Sequence, residues 1–124
     1  INLKLEKVRL RDATKQVSSF GSFVHSLHTE DYELLGRSLN DYLIEKHRKK
    51  LIPLFDEIKG IALKNSALGC SISGSGPSVF ALTKGIEKAN EINKLVSKLY
   101  KTSGYDFSTY VSKISEKGVR TLSI

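Results

Sequence analysis

Leu68-Gly69-Cys70-Ser71-Ile72-Ser73-Gly74-Ser75-Gly76-Pro77-Ser78-Val79-Phe80-Ala81-Leu82 places a glycine-punctuated loop between two short apolar runs, each of a length suited to a buried strand. Gly74 and Gly76 open backbone angles closed to other residues and carry no Cβ to block a ligand, so successive N–H groups can face one concavity and hold an anion such as phosphate. No Lys-Ser/Thr follows the second glycine, and Val79-Phe80-Ala81-Leu82 reads as strand instead of helix, so the segment matches neither of the familiar nucleotide fingerprints. Local sequence alone favours a tight hairpin, with Gly and Pro as turn formers. The strands are expected over Leu68 to Ser73 and Ser78 to Thr83, with Gly85 breaking the second.

Upstream, Ala13, Val17, Phe20, Val24 and Leu27 recur at spacings of four and three, predicting a helix from about Leu10 to His28 with this stripe against a core. Thr29 can cap a second helix carrying Leu35, Leu39, Tyr42 and Leu43 on its buried face, antiparallel to the first. A third begins at Pro53, buries Leu54, Ile58, Ile61 and Ala62, and ends near Ser66. Downstream, Ile86, Ala89, Ile92, Val96 and Leu99 predict a helix over Glu87 to Tyr100 that packs across the sheet. Asp106 to Lys113 is rich in β-formers, and Lys117-Gly118 separates it from Val119 to Ile124, giving two more strands. The expected fold is α+β, a mostly antiparallel four-stranded sheet packed with four helices. Residues 1–9 form a connector or an edge strand, with the connector favoured, and residues 10–124 form the domain.

The chain of 124 residues, 40% apolar and 27% charged, is large enough to bury a core without disulfide or metal. The single cysteine, Cys70, sits in a strand-like apolar run as a small buried hydrophobe, consistent with a reducing compartment. No apolar stretch approaches a membrane span and the first residues do not resemble a signal peptide, so the expected location is the cytoplasm. The formal charge of +7 raises nucleic-acid binding, but the cations alternate with acids along helices, and the densest cluster, Lys46-His47-Arg48-Lys49-Lys50, has no interleaved aromatics for base stacking. That cluster reads as a solvated helix end. His25 and His28, one turn apart, lack a third ligand at sensible spacing, so no metal site is assigned. Asp31, Glu33, Asp41 and Glu45 are spread along a helix without pairing, and none is a persuasive general base.

The run from Gly69 to Leu82 resembles the C-terminal glycine motif of the GHMP kinases, and within them the homoserine kinase branch. Phe23-Val24-His25 with Asp31-Tyr32-Glu33-Leu34-Leu35, then Glu45 to Pro53, then Gly118-Val119-Arg120-Thr121-Leu122, fit that branch in order. The chain departs from the pattern at Lys46, where the branch carries Pro, and at Leu54, where it carries Gly.

The resemblance implies a ferredoxin-like C-terminal domain of an enzyme that uses ATP and Mg2+ to phosphorylate L-homoserine to O-phospho-L-homoserine, in threonine biosynthesis. It implies that Arg48 grips the substrate carboxylate, a role suited to its planar fork, and that Ser73, Gly74, Ser75 and Gly76 contact the substrate or the phosphate end of ATP. The principal ATP loop of that family, Pro-x-x-x-Gly-Leu-Gly-Ser-Ser, and its acidic catalytic residues lie in an N-terminal domain, and no such sequence occurs here. The chain is therefore expected to be the C-terminal part of such a kinase, with no catalytic residue of its own and inactive alone; the sequence does not give the oligomeric state, and a homodimer of the parent is suggested by the resemblance only. The alternatives are another GHMP small-molecule kinase, acting on mevalonate, an isoprenoid or a sugar, and a non-catalytic amino-acid-binding regulatory module.

Overall fold

The computed structural model describes residues 7–121. Helix α1 spans Leu10–Thr29, α2 Tyr32–Ser38 and the one-turn α3 Glu45–Arg48, which continues as a 3-10 turn over Lys49–Leu51. Then follow α4 (Phe55–Lys64), strand β1 (Ala67–Ile72), strand β2 (Val79–Thr83) and α5 (Ile86–Lys101).

β1 and β2 form the antiparallel hairpin anticipated around the glycine loop, with Ile72 opposite Val79 and Cys70 opposite Ala81. A bulge between Ala67 and Gly69 shifts the register at the open end. α4 and α5 pack on this hairpin through a core of Ile58, Ala62, Cys70 and Ile92, with Val79, Val96, Leu99 and Tyr100 around it. The third helix starts two residues later than expected, at Phe55, because Leu54 takes a left-handed conformation with φ 59° and ψ 24°. Tyr100 locks that corner by donating its hydroxyl to the Pro53 carbonyl at 2.8 Å.

The second helix is shorter than expected and differently capped. Thr29 remains inside α1, donating its hydroxyl to the His25 carbonyl. Asp31 is the cap instead, accepting from the Leu34 amide at 2.8 Å. The helix stops at Ser38, since Asp41 collects the amides of Leu43, Ile44 and Glu45 and starts α3. Two close approaches seat α2 on β1: a Cβ on Gly36 would lie 2.6 Å from the Leu68 carbonyl oxygen, and a Cβ on Gly69 would lie 2.5 Å from the Leu39 side chain.

Two further expectations are corrected. The stripe on α1 does not face the core, for Val17 is 71% and Phe20 68% exposed. The neighbouring face docks instead, with Asp12 and Ser26 buried: Asp12, paired within its own turn to Arg9 at 2.9 Å, reaches Lys46 at 3.4 Å, and the Gln16 side chain accepts from the Tyr42 amide at 2.8 Å. Arg9, the first cause, holds the Asp12 carboxyl below its usual range.

The sheet has two strands among the described residues, not four. After Gly104 the chain runs beside α5, with the Phe107 ring stacked 5.1 Å from that of Tyr100, and Tyr110 and Val119 stand exposed. β-forming residues need a pleated neighbour, and this stretch meets none. Residues 122–124 of the expected last strand and residues 1–6 of the expected connector or edge strand lie outside the described residues, while residues 7–9 form neither helix nor strand.

Candidate functional site

The loop joining β1 to β2 projects from the hairpin, with Ser73, Gly74 and Ser75 exposed and Gly76 half-buried. Its neck is closed by the Ser73 amide donating to the Ser78 carbonyl at 2.8 Å, and a turn within it by the Gly76 amide donating to the Ser73 carbonyl at 3.3 Å. Gly74 and Gly76 sit at φ 60° and 83°, in the left-handed region that penalises a side chain. A Cβ at Gly74 would meet nothing within 4 Å, whereas one at Gly76 would lie 3.4 Å from Ile52 Cδ1. Among the described residues, no backbone hydrogen bond engages the amides of Gly74 and Ser75.

Arg48 is brought to this loop. It is the last residue of α3, and its Nη1 donates to the Ser75 carbonyl oxygen. Ile52, four residues on and buried, abuts Gly76. Both contacts come from the Arg48-x-x-Leu51-Ile52-Pro53 segment. Two unengaged amides beside a permanent cation fit an anion, whether carboxylate or phosphate.

The neighbouring cations are occupied or turned elsewhere. Lys49 donates to both oxygens of Asp56, at 2.9 and 2.8 Å, and this partner raises its pKa. Lys46 reaches Asp12, and Lys50 is exposed. A shallow depression of about 210 Å³, lined by Lys49, Lys50, Ile52, Leu54, Phe55, Asp56 and Glu57, includes neither Arg48 nor the loop.

Each of the four carboxylates considered as a general base is engaged by an amide, a cation or a hydroxyl. Asp31 caps α2, Glu33 bonds Arg37 at 3.1 Å, Asp41 caps α3, and Glu45 takes Lys59 at 2.5 Å and the Ser71 hydroxyl at 3.0 Å. Sequence reasoning missed this last set, whose members come from three elements with no local spacing to announce them. Among the described residues, no group of three or more His, Cys, Asp or Glu side chains converges to hold a metal, and His25 and His28 both lie exposed on α1. Burial pushes the Cys70 thiol up to about 11, so it is neutral near pH 7 and unsuited to nucleophilic work.

Known proteins resemble this chain along most of its length. Residues 23–103 match the family described as GHMP kinases C terminal. A homoserine kinase from Chlorobium phaeovibrioides is 43% identical over 117 residues, which make up 93% of this chain and 37% of that protein. A homoserine kinase from Chlorobaculum tepidum is 38% identical over 95% of this chain and 37% of its own length. The crystal structure of a homoserine kinase from Cytophaga hutchinsonii superposes with a TM-score of 0.84 at 40% identity, over 88% of this chain and 35% of that one. The chain thus spans a little over a third of the length of these relatives. The chain belongs to the GHMP kinase C-terminal domain family, and these relatives, which it resembles along most of its own length, are homoserine kinases.

Proposed function

We propose that this domain forms one wall of the active site of a homoserine kinase, a cytoplasmic enzyme that transfers the γ-phosphoryl of ATP to the side-chain hydroxyl of L-homoserine and yields O-phospho-L-homoserine for threonine synthesis. Arg48 takes the substrate carboxylate through a two-pronged, charge-assisted pair of hydrogen bonds. Ser73, Gly74, Ser75 and Gly76 line the place where the substrate hydroxyl and the phosphate end of ATP approach each other. Mg2+, when bound with ATP, neutralises the phosphate oxygens, and its ligands come from outside the described residues. The N-terminal kinase domain supplies the main ATP loop and the acidic groups, so residues 10–124 alone do not turn over substrate. The parent enzyme pairs as a homodimer.

The contact of the Arg48 guanidinium with the Ser75 carbonyl carries this reading, for a planar cation beside a glycine loop suits a carboxylate held next to a phosphate. Phosphorylation means that the homoserine Oδ bonds the γ-phosphorus and gives up its proton as the bond from that phosphorus to the bridging oxygen breaks, leaving ADP and a released proton. Steady-state kinetics of the full-length polypeptide with homoserine, mevalonate and a hexose as competing acceptors test it. Preferential use of homoserine, with a homoserine KM raised by Arg48→Ala, is the expected result. Preferential use of another acceptor, or a homoserine KM indifferent to Arg48, overturns it.

A further inference from the structure

Glu45 and Arg48 are the first and last residues of α3, one turn apart, and each is bonded to the β1–loop unit. Oε2 of Glu45 accepts from the Ser71 hydroxyl on β1 at 3.0 Å, and Arg48 donates to Ser75, four residues further along the same strand and loop. Oε1 of Glu45 accepts from Lys59 of α4 at 2.5 Å, and its amide donates to Asp41 Oδ2 at 3.0 Å. The Glu45 side chain is only 15% exposed.

A one-turn helix has little stability of its own, so outside bonds decide where its last residue sits. Here those bonds fix the start of α3 to a strand and to a second helix. Lys59 also neutralises Glu45, so that a carboxylate can lie beneath the site without repelling an incoming anion. A two-pronged arginine–carboxylate pair tolerates little displacement, and its supporting groups determine whether the fork is presented in place.

We infer that Glu45, held by Lys59 and Ser71, is a positioning residue that aims Arg48 at the carboxylate of the acceptor, a role that rests on the homoserine reading of Arg48. Glu45 touches neither substrate nor nucleotide and acts through the helix alone.

The test uses the full-length polypeptide. Glu45→Gln is expected to raise the homoserine KM about tenfold while the ATP KM stays within about twofold, and Ser71→Ala, which spares the Glu45–Lys59 pair, to raise it about threefold. In an Arg48→Ala background Glu45→Gln is expected to add less than about twofold, because the group it aims is gone. An effect that multiplies in full in that background, or that raises both KM values alike, overturns the inference. Should Arg48→Ala leave the homoserine KM unmoved, the substrate reading fails by itself, and hydrogen exchange at the Ser73 and Gly76 amides, which are hydrogen-bonded within the loop, decides the clamp. Glu45→Gln speeds that exchange about tenfold if the clamp holds the loop, and an unchanged rate overturns it.

Discussion

The Arg48 guanidinium and the Ser75 carbonyl oxygen are hydrogen-bonded partners 27 residues apart in sequence. The bond spends one of five guanidinium donors and leaves four, enough for the carboxylate that we propose Arg48 takes. It also explains why an arginine stands here. Lys49 and Lys50 are adjacent in the chain, yet the first is committed to Asp56, and a lysine ammonium cannot hold a loop carbonyl and a planar carboxylate in one fixed geometry.

Arg48→Lys keeps the charge and loses the fork. The homoserine KM of the full-length enzyme is expected to rise about tenfold, corresponding to roughly 1.4 kcal/mol, with kcat changed far less because the lost contact serves ground state and transition state alike. Initial rates over a range of homoserine concentrations at saturating ATP measure it. A fall in kcat at constant KM would assign Arg48 to the transferring phosphoryl group instead.

Leu54 occupies a left-handed conformation immediately before α4, at the point where the sequence departs from the family pattern that it resembles. Such a conformation costs a non-glycine residue about 1–2 kcal/mol. Comparison of Leu54→Gly with Leu54→Ala isolates that cost, since both variants remove the half-buried side chain. The glycine variant is expected to be the more stable by about 1 kcal/mol in urea denaturation, and equal stabilities would show that the chain reaches this turn without strain.

Gly36 and Gly21 make a matched pair within helices. A Cβ at Gly36 would press on the Leu68 backbone carbonyl at 2.6 Å, which cannot swing away as a side chain would, while one at Gly21 meets nothing within 4 Å. Gly36→Ala is expected to destabilise by about 1–3 kcal/mol, and Gly21→Ala to stabilise by about 0.5–1 kcal/mol. Thermal melts of both variants check the opposite signs.

The parts legible in the sequence are those held by neighbours along the chain. The hairpin follows from two apolar runs bounded by glycines, and α5 from a stripe that ends up packed on the strands. The orientation of α1 was not legible. Its period marks a stripe without saying which side docks, and the deciding contacts, Lys46 with Asp12 and Tyr42 with Gln16, come from 34 and 26 residues away. The C-terminal strands failed for a related reason, since β-propensity describes a side chain's fit to a sheet and the chain after Gly104 follows α5.

At the candidate site, resemblance pointed to both Arg48 and the loop, and neither charge nor spacing alone would have singled the arginine out from Lys49 and Lys50. Glu45 stayed hidden because Lys59 and Ser71 lie 14 and 26 residues away on other elements. The exchange of glycine for Leu54 was visible as a departure from the family pattern. Its backbone consequence was not.

Cys70 offers a last check, on the core beneath the loop. Its side chain is buried against Ile58, Ala62 and Ile92, and burial pushes the thiol from its ordinary value of 9.0 up to about 11. Only the thiolate attacks a disulfide reagent, so the native protein at pH 8 is expected to react with an aromatic disulfide far more slowly than the guanidinium-unfolded chain. The raised value also gives stability a sign. The unfolded thiol ionises near pH 9 while the folded one stays neutral, so the contribution of Cys70 is fully present below pH 9 and is lost as the pH rises towards about 11. Urea denaturation from pH 8 to 11, beside Cys70→Ala to subtract the titration of lysines and tyrosines, is expected to show the wild type losing stability faster. Parallel curves for the two proteins, or rapid stoichiometric labelling of the native thiol, would mean that the hairpin and α4 open readily enough to wet this core.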